Sequence, residues 1–327
     1  MQVFSYIKCL TFTKILNYLR LKCCFRKLKK INRNKGAFAL PPPSFLSFEP
    51  TNYCNLKCPA CPTGSGVLTR DKGFADILLF KKLVDENKNC LINILLHFQG
   101  EPLLHKQIGE MISYARKNRI FTELSTNANN LPDIFEQIKH SLPDKIIISL
   151  DGLTQETYNK YRVNGDKNKV FDALKLLSQL PKKKRPYVEV QFLVFSHNED
   201  EIPKLKKIKS QFKIDRIRLK TAQIYESSQI PMLPRNENYS RYRINGNKFQ
   251  LKSEFKNRCK RIVFGSVITW DGKLIPCCFD KDAEFVFGDA NSQTVNEIRN
   301  SEKCKQFIKT VFSQRKSIEM CRNCTEI

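Results

Sequence analysis

The sequence predicts an α/β fold, with a mainly parallel sheet that is open or curled into a partial barrel, followed by a small cysteine-rich module. Between residues 45 and 220, short apolar runs alternate with longer amphipathic stretches, the pattern of strands joined by crossover helices. Six of the thirteen cysteines fall within residues 259–327. With 327 residues, the chain suits one large domain and a small appendage better than two equal halves.

The elements of the main domain are expected within residues 41–220. The apolar runs predict strands near 45–49, 92–98, 120–125, 145–150, 188–195 and 215–220. The stretches between them predict helices near 75–87, 104–117, 130–140, 154–180 and 199–212. In such a sheet the crossovers are right-handed, and functional residues lie at the carboxyl ends of the strands. Glu189 and Gln191 alternate with apolar neighbours, so they face either the barrel interior or solvent at an edge.

Residues 1–40 form a basic amino-terminal arm. They contain ten Lys and Arg and no Asp or Glu, within a chain whose formal net charge is +25. The apolar residues among these charges predict an amphipathic helix: Phe4, Ile7, Leu10, Ile15, Tyr18, Leu19 and Leu21. This helix either packs on the main domain or rests on an anionic membrane. Lys8 and Lys14 interrupt any secretory signal, so we expect a cytoplasmic protein, with peripheral membrane contact as the alternative.

Two further segments follow the main domain. Pro41–Pro43 predicts an extended linker ahead of it, and residues 221–258 are an irregular, polar bridge behind it. In residues 259–327, Trp270-Asp271-Gly272-Lys273 between apolar runs predicts a hairpin, and a helix is expected near 293–313. Because so short a segment buries little apolar surface, we expect a metal to stabilise it.

The cysteines themselves indicate metal binding. Their odd number and tight local pairs fit a disulfide framework poorly in a chain with no secretory signal. Only four histidines accompany them, which excludes a histidine-rich zinc hydrolase.

Three cysteines lie on one loop after the first predicted strand. Cys54, Cys58 and Cys61 have C-x3-C-x2-C spacing. Three thiolates can hold a four-iron cluster with one iron left open, although zinc with a distant fourth ligand has the same spacing. Placed after a first strand, this motif resembles the signature of the radical S-adenosylmethionine (SAM) superfamily. The resemblance implies a partial (β/α)6 barrel, a 4Fe-4S cluster that binds SAM, and a 5'-deoxyadenosyl radical that takes hydrogen from a substrate.

The resemblance extends to later strand ends and implies residues that bind SAM. The segment Gln99-Gly100-Glu101-Pro102 resembles the family's Gly-Gly-Glu element, with Gln99 in place of the first glycine. Further positions match elements after the third and fourth strands. The implied SAM-binding residues are Gly100, Glu101, Ser125, Asn127, Ser149 and Arg162.

A second set of cysteines resembles the SPASM module or its shorter twitch relative. The resemblance covers residues 259–324, including Gly272-x4-Cys277 and Cys321-x2-Cys324. It implies one auxiliary 4Fe-4S cluster, with a structural zinc ion as the alternative. The implied ligands are Cys259, Cys277, Cys321 and Cys324. Cys278 could replace Cys277, although adjacent strand residues point to opposite faces. Cys304 lies in a predicted helix and is expected to be structural.

The predicted function is therefore that of a radical SAM oxidoreductase. The family resemblance implies a peptide or protein substrate, or a carbohydrate-like one, and an electron donor such as flavodoxin or ferredoxin. The alternative is a non-catalytic zinc protein that engages nucleic acid or an anionic surface through its basic arm. Nucleic acid is not expected as a partner, because aromatic residues are not interleaved with basic ones beyond the arm.

Overall fold

A computed structural model describes residues 2–30 and 38–325 of the chain. All six strands predicted for the main domain are present within a few residues of their expected bounds. They are β1 Phe45–Phe48, β2 Asn93–Leu96, β3 Phe121–Thr126, β4 Lys145–Ser149, β5 Tyr187–Val194 and β6 Arg216–Thr221. Each is parallel to the next and pairs in chain order. This arrangement is a partial (β/α)6 barrel.

The crossover helices match the predictions with two corrections. They are α3 Ile77–Asn87, α4 Ile108–Lys117, α5 Leu131–Ile138, α6 Gln155–Asn159, α7 Lys167–Gln179 and α8 Leu205–Gln211. The single helix predicted at 154–180 is wrong: the chain turns between α6 and α7, where Asn164 has a positive φ of 68°. The helix predicted from 199 begins as a 3-10 helix, Glu199–Lys204, which contains Pro203.

The carboxy-terminal segment extends the sheet of the barrel. The strands β9 Gly265–Ile268, β10 Lys273–Ile275 and β11 Gly288–Asp289 follow the order β11-β10-β9-β1. Strand β9 is parallel to β1, and β10 is antiparallel to β9, which confirms the predicted hairpin. Gly272 closes its turn with a φ of 87°. The helices here are α9 Lys260–Phe264, α10 Val295–Arg299, α11 Glu302–Gln314 and α12 Glu319–Arg322.

A small hairpin lies between the barrel and this segment. It consists of β7 Tyr242–Asn245 and β8 Lys248–Leu251, which form a separate two-stranded sheet. The buried hydroxyl of Tyr242 donates to Asn323 Oδ1 at 2.7 Å, so the hairpin is tied to the end of the carboxy-terminal segment.

The amino-terminal arm forms two helices, α1 Gln2–Cys9 and α2 Phe12–Leu28. They pack on the main domain, which was one of the two predicted alternatives. Asn17 Nδ2 donates to the carbonyl of Pro42 at 2.9 Å, and Phe25 packs against Phe264 and Phe312. No helix in the described part of the chain is long and apolar enough to span a bilayer.

One buried ion pair joins the loop after β1 to two distant segments. The guanidinium of Arg70 donates to both oxygens of Glu49, at 2.9 and 2.7 Å. The side chain of Glu49 is fully buried, and one of its oxygens also accepts from the backbone N–H of Trp270 in the β9–β10 turn. The carboxylate thus connects the cysteine loop to the carboxy-terminal hairpin.

The substitution Glu49→Gln is expected to destabilise the fold by about 3–5 kcal/mol, because it leaves a buried guanidinium without its counter-charge. Chemical denaturation measures this change. Glu156→Gln is the control, since Glu156 is 81% exposed and its pair with Lys160 contributes less than about 1 kcal/mol. An equal effect of the two substitutions on the free energy of unfolding would contradict a stabilising role for the buried pair of Glu49 and Arg70.

Candidate active site

The three cysteines of the C-x3-C-x2-C motif lie on the loop that leaves the carboxyl end of β1. The backbone N–H of Leu56 points to Cys54 Sγ at 3.4 Å, and Arg162 Nη1 lies 3.7 Å from Cys58 Sγ. The backbone of Cys61 donates to the carbonyl of Cys58 at 3.1 Å. Two of the sulfurs therefore face hydrogen-bond donors, an environment that suits thiolates.

Burial controls the ionisation of these thiols. It raises the pKa of Cys54 to about 12 and raises the pKa of Cys58, although Arg162 acts against the second shift. The thiols of Cys54 and Cys58 are consequently neutral when free, and a bound cation would be needed to hold them as thiolates. In the described residues, no three His, Cys, Asp or Glu side chains converge on a position for a single metal ion.

Gly100 and Glu101 lie at the carboxyl end of β2, next to the cysteine loop. Gly100 has a φ of 72°, and a Cβ there would lie 2.5 Å from the carbonyl oxygen of Thr51, so only glycine fits. The buried carboxylate of Glu101 accepts from Thr126 Oγ1 at 2.6 Å and from the backbone of Asn127 at 2.7 Å. Burial raises its pKa. Glu101 therefore joins the loops after β2 and β3. The contact with SAM that the sequence predicts would add to these hydrogen bonds.

Asn127 bridges from the third strand to the cysteine loop. Its amide donates to Asn55 Oδ1 at 2.8 Å, and the same nitrogen lies 4.0 Å from Cys54 Sγ. Asn55 was not predicted as a site residue, and no pattern in the sequence distinguishes it from an ordinary loop asparagine. Ser125 lies two residues earlier, in the lining of the barrel interior.

Arg162 and Ser149 lie near the carboxyl end of β4. Arg162 Nε donates to the fully buried carboxylate of Asp151 at 2.6 Å. Burial alone would lower the pKa of Arg162, but Asp151 raises it well above its usual value, so the guanidinium stays charged. Asp151 also accepts from the backbone N–H of Leu193, so its carboxylate connects the segment after β4 to β5. Ser149 is half-buried and pairs with Gln191 in the sheet register.

A cavity of about 320 Å³ lies inside the barrel. Polar side chains from five strands or strand ends line it, together with Cys278 from the carboxy-terminal segment: Ser47, His97, Ser125, Gln191 and Lys220. Glu189 is also interior, 3.3 Å from Lys145 and 3.3 Å from Arg218, so the first of the two predicted orientations of β5 is confirmed. His97 was not predicted as a site residue. The sequence did carry a signal for it: His97 lies two residues after Leu95, so both side chains are on the same face of the β2 segment, the face that lines the cavity.

The other four predicted cysteine ligands line a single cavity in the carboxy-terminal segment: Cys259, Cys277, Cys321 and Cys324. Cys278 does not line it. Its sulfur instead accepts from Arg261 Nη1 at 3.0 Å and borders the barrel interior. Of the two cavities, Cys277 lines both, whereas Cys278 lines the barrel interior alone.

This second cavity combines buried thiols with a buried cation. Burial raises the pKa of Cys277 far above its usual value and raises that of Cys321, while the guanidinium of Arg315 lowers the latter. Arg315 is 1% exposed, and its buried Nε has no hydrogen-bond partner. Cys304 does not line the cavity. It is buried in the apolar core, as a structural cysteine would be.

Family models match both parts of this architecture. Residues 48–207 match the radical SAM superfamily, and residues 259–325 match SPASM, an iron-sulfur cluster-binding domain. The chain is a radical SAM enzyme with a SPASM domain. Its cofactors are accordingly a 4Fe-4S cluster, SAM and auxiliary iron-sulfur. The non-catalytic alternative considered from the sequence is therefore set aside.

Curated relatives of this radical SAM enzyme match only part of it. The GTP 3',8-cyclase of Clostridium botulinum is 27% identical over 136 residues, which are 40% of this chain and 42% of the relative. The mycofactocin maturase MftC of Mycobacterium tuberculosis is 29% identical over 140 residues, 42% of this chain and 35% of the relative. The matched region thus spans less than half the length of these relatives.

Solved structures share its fold over most of the chain. Streptococcus suis SuiB bound to its precursor peptide SuiA has a TM-score of 0.64 at 15% identity, covering 90% of this chain and 71% of SuiB. Native anSMEcpe with bound AdoMet and Cp18Cys peptide has a TM-score of 0.57 at 20% identity, covering 86% of this chain and 88% of that one. At these identities the likeness establishes the fold.

The burial of His97 predicts how the stability of the fold depends on pH. Burial lowers the pKa of His97 from 6.5 to about 4, so the imidazole is neutral in the folded protein but becomes protonated in the unfolded chain below pH 6.5. Because the folded-state pKa is depressed, this residue contributes stability above pH 6.5 that is lost as the pH falls towards 4. Between pH 7 and 5.5 the expected loss is about 1 kcal/mol.

Chemical denaturation of the wild type and of His97→Gln at both pH values measures this term. The variant should lose about 1 kcal/mol less than the wild type on acidification. Other groups contribute equally to both proteins, so the difference isolates His97. Identical pH dependence in the two proteins would contradict a depressed pKa.

Proposed function

We propose that this enzyme reductively cleaves SAM and abstracts a hydrogen atom from a peptide or protein substrate. One observation carries the proposal: the barrel cavity is lined by His97 and Ser125, at the carboxyl ends of β2 and β3, and by Cys277, which also lines the auxiliary site. A substrate in this cavity would be close to the SAM site on one side and to the auxiliary site on the other.

When bound, the reduced cluster supplies the electron that cleaves SAM to a 5'-deoxyadenosyl radical. Cys54, Cys58 and Cys61 would hold that cluster. The donors near two of these sulfurs, the backbone of Leu56 and the guanidinium of Arg162, would stabilise the thiolate charge. Because burial holds the free thiols of Cys54 and Cys58 neutral, binding of the cluster would have to displace their protons, and the positive charge of the metal centre would drive that loss.

Six residues would bind and orient SAM. Arg162 has five N–H donors, and its contacts with Asp151 and Cys58 leave others for a carboxylate. Glu101 would attract the amino group, and Gly100 allows the loop after β2 to approach the cysteine loop closely. The remaining three offer short polar side chains at or near the ends of β3 and β4: Ser125, Asn127 and Ser149.

The auxiliary site would hold one 4Fe-4S cluster through Cys259, Cys277, Cys321 and Cys324. The buried guanidinium of Arg315 would offset the negative charge that four thiolates bring, and this is a specific role for its unpartnered Nε. With four protein ligands, the site has no open position for SAM. Its role is then to accept an electron from the substrate or to brace the fold.

A peptide substrate is supported by the solved structures of SuiB with SuiA and of anSMEcpe with Cp18Cys, and by the maturase MftC. This chain offers a groove of about 770 Å³ beside the β7–β8 hairpin, lined by apolar and polar side chains such as Tyr225, Phe249 and Gln250. A carbohydrate-like substrate is the second candidate, since hydroxyl and amide groups from Ser47, Ser125 and Gln191 line the barrel cavity.

An acidic electron donor such as flavodoxin or ferredoxin fits the charge of the enzyme. With a net charge of +25, the protein attracts an anionic partner over a distance set by ionic strength. We therefore expect turnover with such a donor to slow as salt is added.

Anaerobic reconstitution followed by a dithionite-driven assay for 5'-deoxyadenosine tests the proposal. Two 4Fe-4S clusters require about eight iron atoms per chain. Addition of candidate peptides or sugars should increase 5'-deoxyadenosine formation only for the substrate class that binds. Zinc without SAM cleavage would contradict the proposal as a whole.

Single cysteine variants should separate the two centres. Cys58→Ala should abolish SAM cleavage and lose about four iron atoms, whereas Cys324→Ala should lose a similar number and retain the SAM-binding cluster. Iron analysis and 5'-deoxyadenosine formation measure both outcomes. Cys278→Ala should retain all iron if Cys277 is the ligand, and the exposed Cys23→Ala serves as a general control. Full SAM turnover in Cys58→Ala would refute the assignment.

A further inference from the structure

We infer that the outer face of α2 docks the enzyme onto an anionic lipid surface. The face consists of Phe12, Ile15, Leu16, Leu19 and Cys23, called the outer stripe below. The inference does not depend on the substrate of the enzyme. It rests on the two-sided character of α2, on the charges that flank its outer side and on its position in the fold.

The inner face of α2 already anchors the helix to the protein. Every third or fourth residue along it is buried: Lys14, Asn17, Leu21, Phe25 and Leu28. Phe25 packs against Phe264 and Phe312, and Lys14 donates to the carbonyl of Arg119. This spacing places all five on one side of the helix. Attachment of α2 to the barrel is therefore accounted for without the outer stripe.

The outer stripe occupies the opposite side of α2. Its members follow the spacing i, i+3, i+4, i+7 and i+11, which defines a single face. Phe12 is 79% exposed and Leu19 is 50% exposed, and Ile15 and Leu16 between them are also exposed. A helix that packs on a soluble domain normally carries polar residues there, so a continuous apolar stripe indicates a second apolar contact.

The charges around the outer stripe identify its partner. Residues 1–40 contain ten Lys and Arg and no acidic residue. Several of these cations lie on α2 itself and are exposed beside or just beyond the stripe: Arg20, Lys22, Arg26 and Lys27. Apolar side chains flanked by cations are the arrangement by which amphipathic helices enter an anionic bilayer surface. A second copy of the chain would bring two such basic surfaces together, so self-association is disfavoured.

The position of α2 gives the docked enzyme a defined orientation. Its contacts involve Pro42 before β1, Arg119 before β3 and Phe264 before β9, which all precede strands. Tyr6 of α1 likewise packs on Phe121 at the start of β3. The helix pair therefore covers the amino ends of the barrel strands, whereas the cysteine loop lies at their carboxyl ends. Lipid contact through the outer stripe would leave the SAM site facing water.

Vesicle sedimentation with the full-length reconstituted enzyme tests the inference. We expect binding to phosphatidylcholine vesicles containing half phosphatidylglycerol, weak binding to pure phosphatidylcholine, and release at high salt. Phe12→Gln combined with Leu19→Gln should weaken binding by at least about tenfold. The matched control is Leu78→Gln, because Leu78 is 68% exposed on α3, and it should change binding by less than about twofold.

Fluorescence locates the contact. In Phe12→Trp, brominated lipid should quench the new indole, whereas the indole in Leu78→Trp and the native Trp270 should be unaffected. Three results would overturn the inference: no preference for anionic vesicles, equal binding by the double variant, or a wild-type dimer that the double variant abolishes without any vesicle binding. The last would assign the outer stripe to a second copy of the chain.

Discussion

The buried carboxylate of Glu49 is the constraint on which the arrangement of the two cysteine sites depends. It lies between β1 and the cysteine loop, and it binds Arg70 beyond that loop and the backbone of Trp270 in the carboxy-terminal hairpin. A fully buried carboxylate is tolerated only when its oxygens are satisfied in this way. The same interaction therefore sets the exit direction of the cysteine loop and the position of the SPASM domain beside it.

Both cysteine sites follow one electrostatic design. Burial raises the pKa of Cys58 and of Cys321, and a guanidinium acts against the shift in each case, Arg162 beside Cys58 and Arg315 beside Cys321. Each cation has its own structural support, since Arg162 binds Asp151 and Arg315 binds the carbonyl of Arg258. Positive charge is thus fixed in place before any metal binds, which lowers the cost of gathering thiolates in a buried site.

The sequence predicted the strands well because each is a short apolar run with clear ends, and the cysteine motifs because their spacing is local. It failed where the decisive contacts are distant or conformational. The turn that separates α6 from α7 depends on a positive φ at Asn164. Asparagine tolerates this conformation but does not require it, so the sequence does not reveal the turn. Glu49 and Arg70 form an ion pair, but no periodic pattern in the sequence links the two positions, so the pair could not be predicted. His97 could have been found from the alternation of β2, since the residues on that face line the barrel interior.

The parallel pairing of β9 with β1 makes the two family domains one folding unit. Strand β1 lies between β2 and β9, so its backbone hydrogen bonds on one side come from the SPASM domain. Removal of that domain would turn β1, now inside the sheet, into an exposed apolar edge strand, which is a template for aggregation. Evolution of this enzyme by exchange of its carboxy-terminal domain is correspondingly restricted to replacements that supply a strand in the same register.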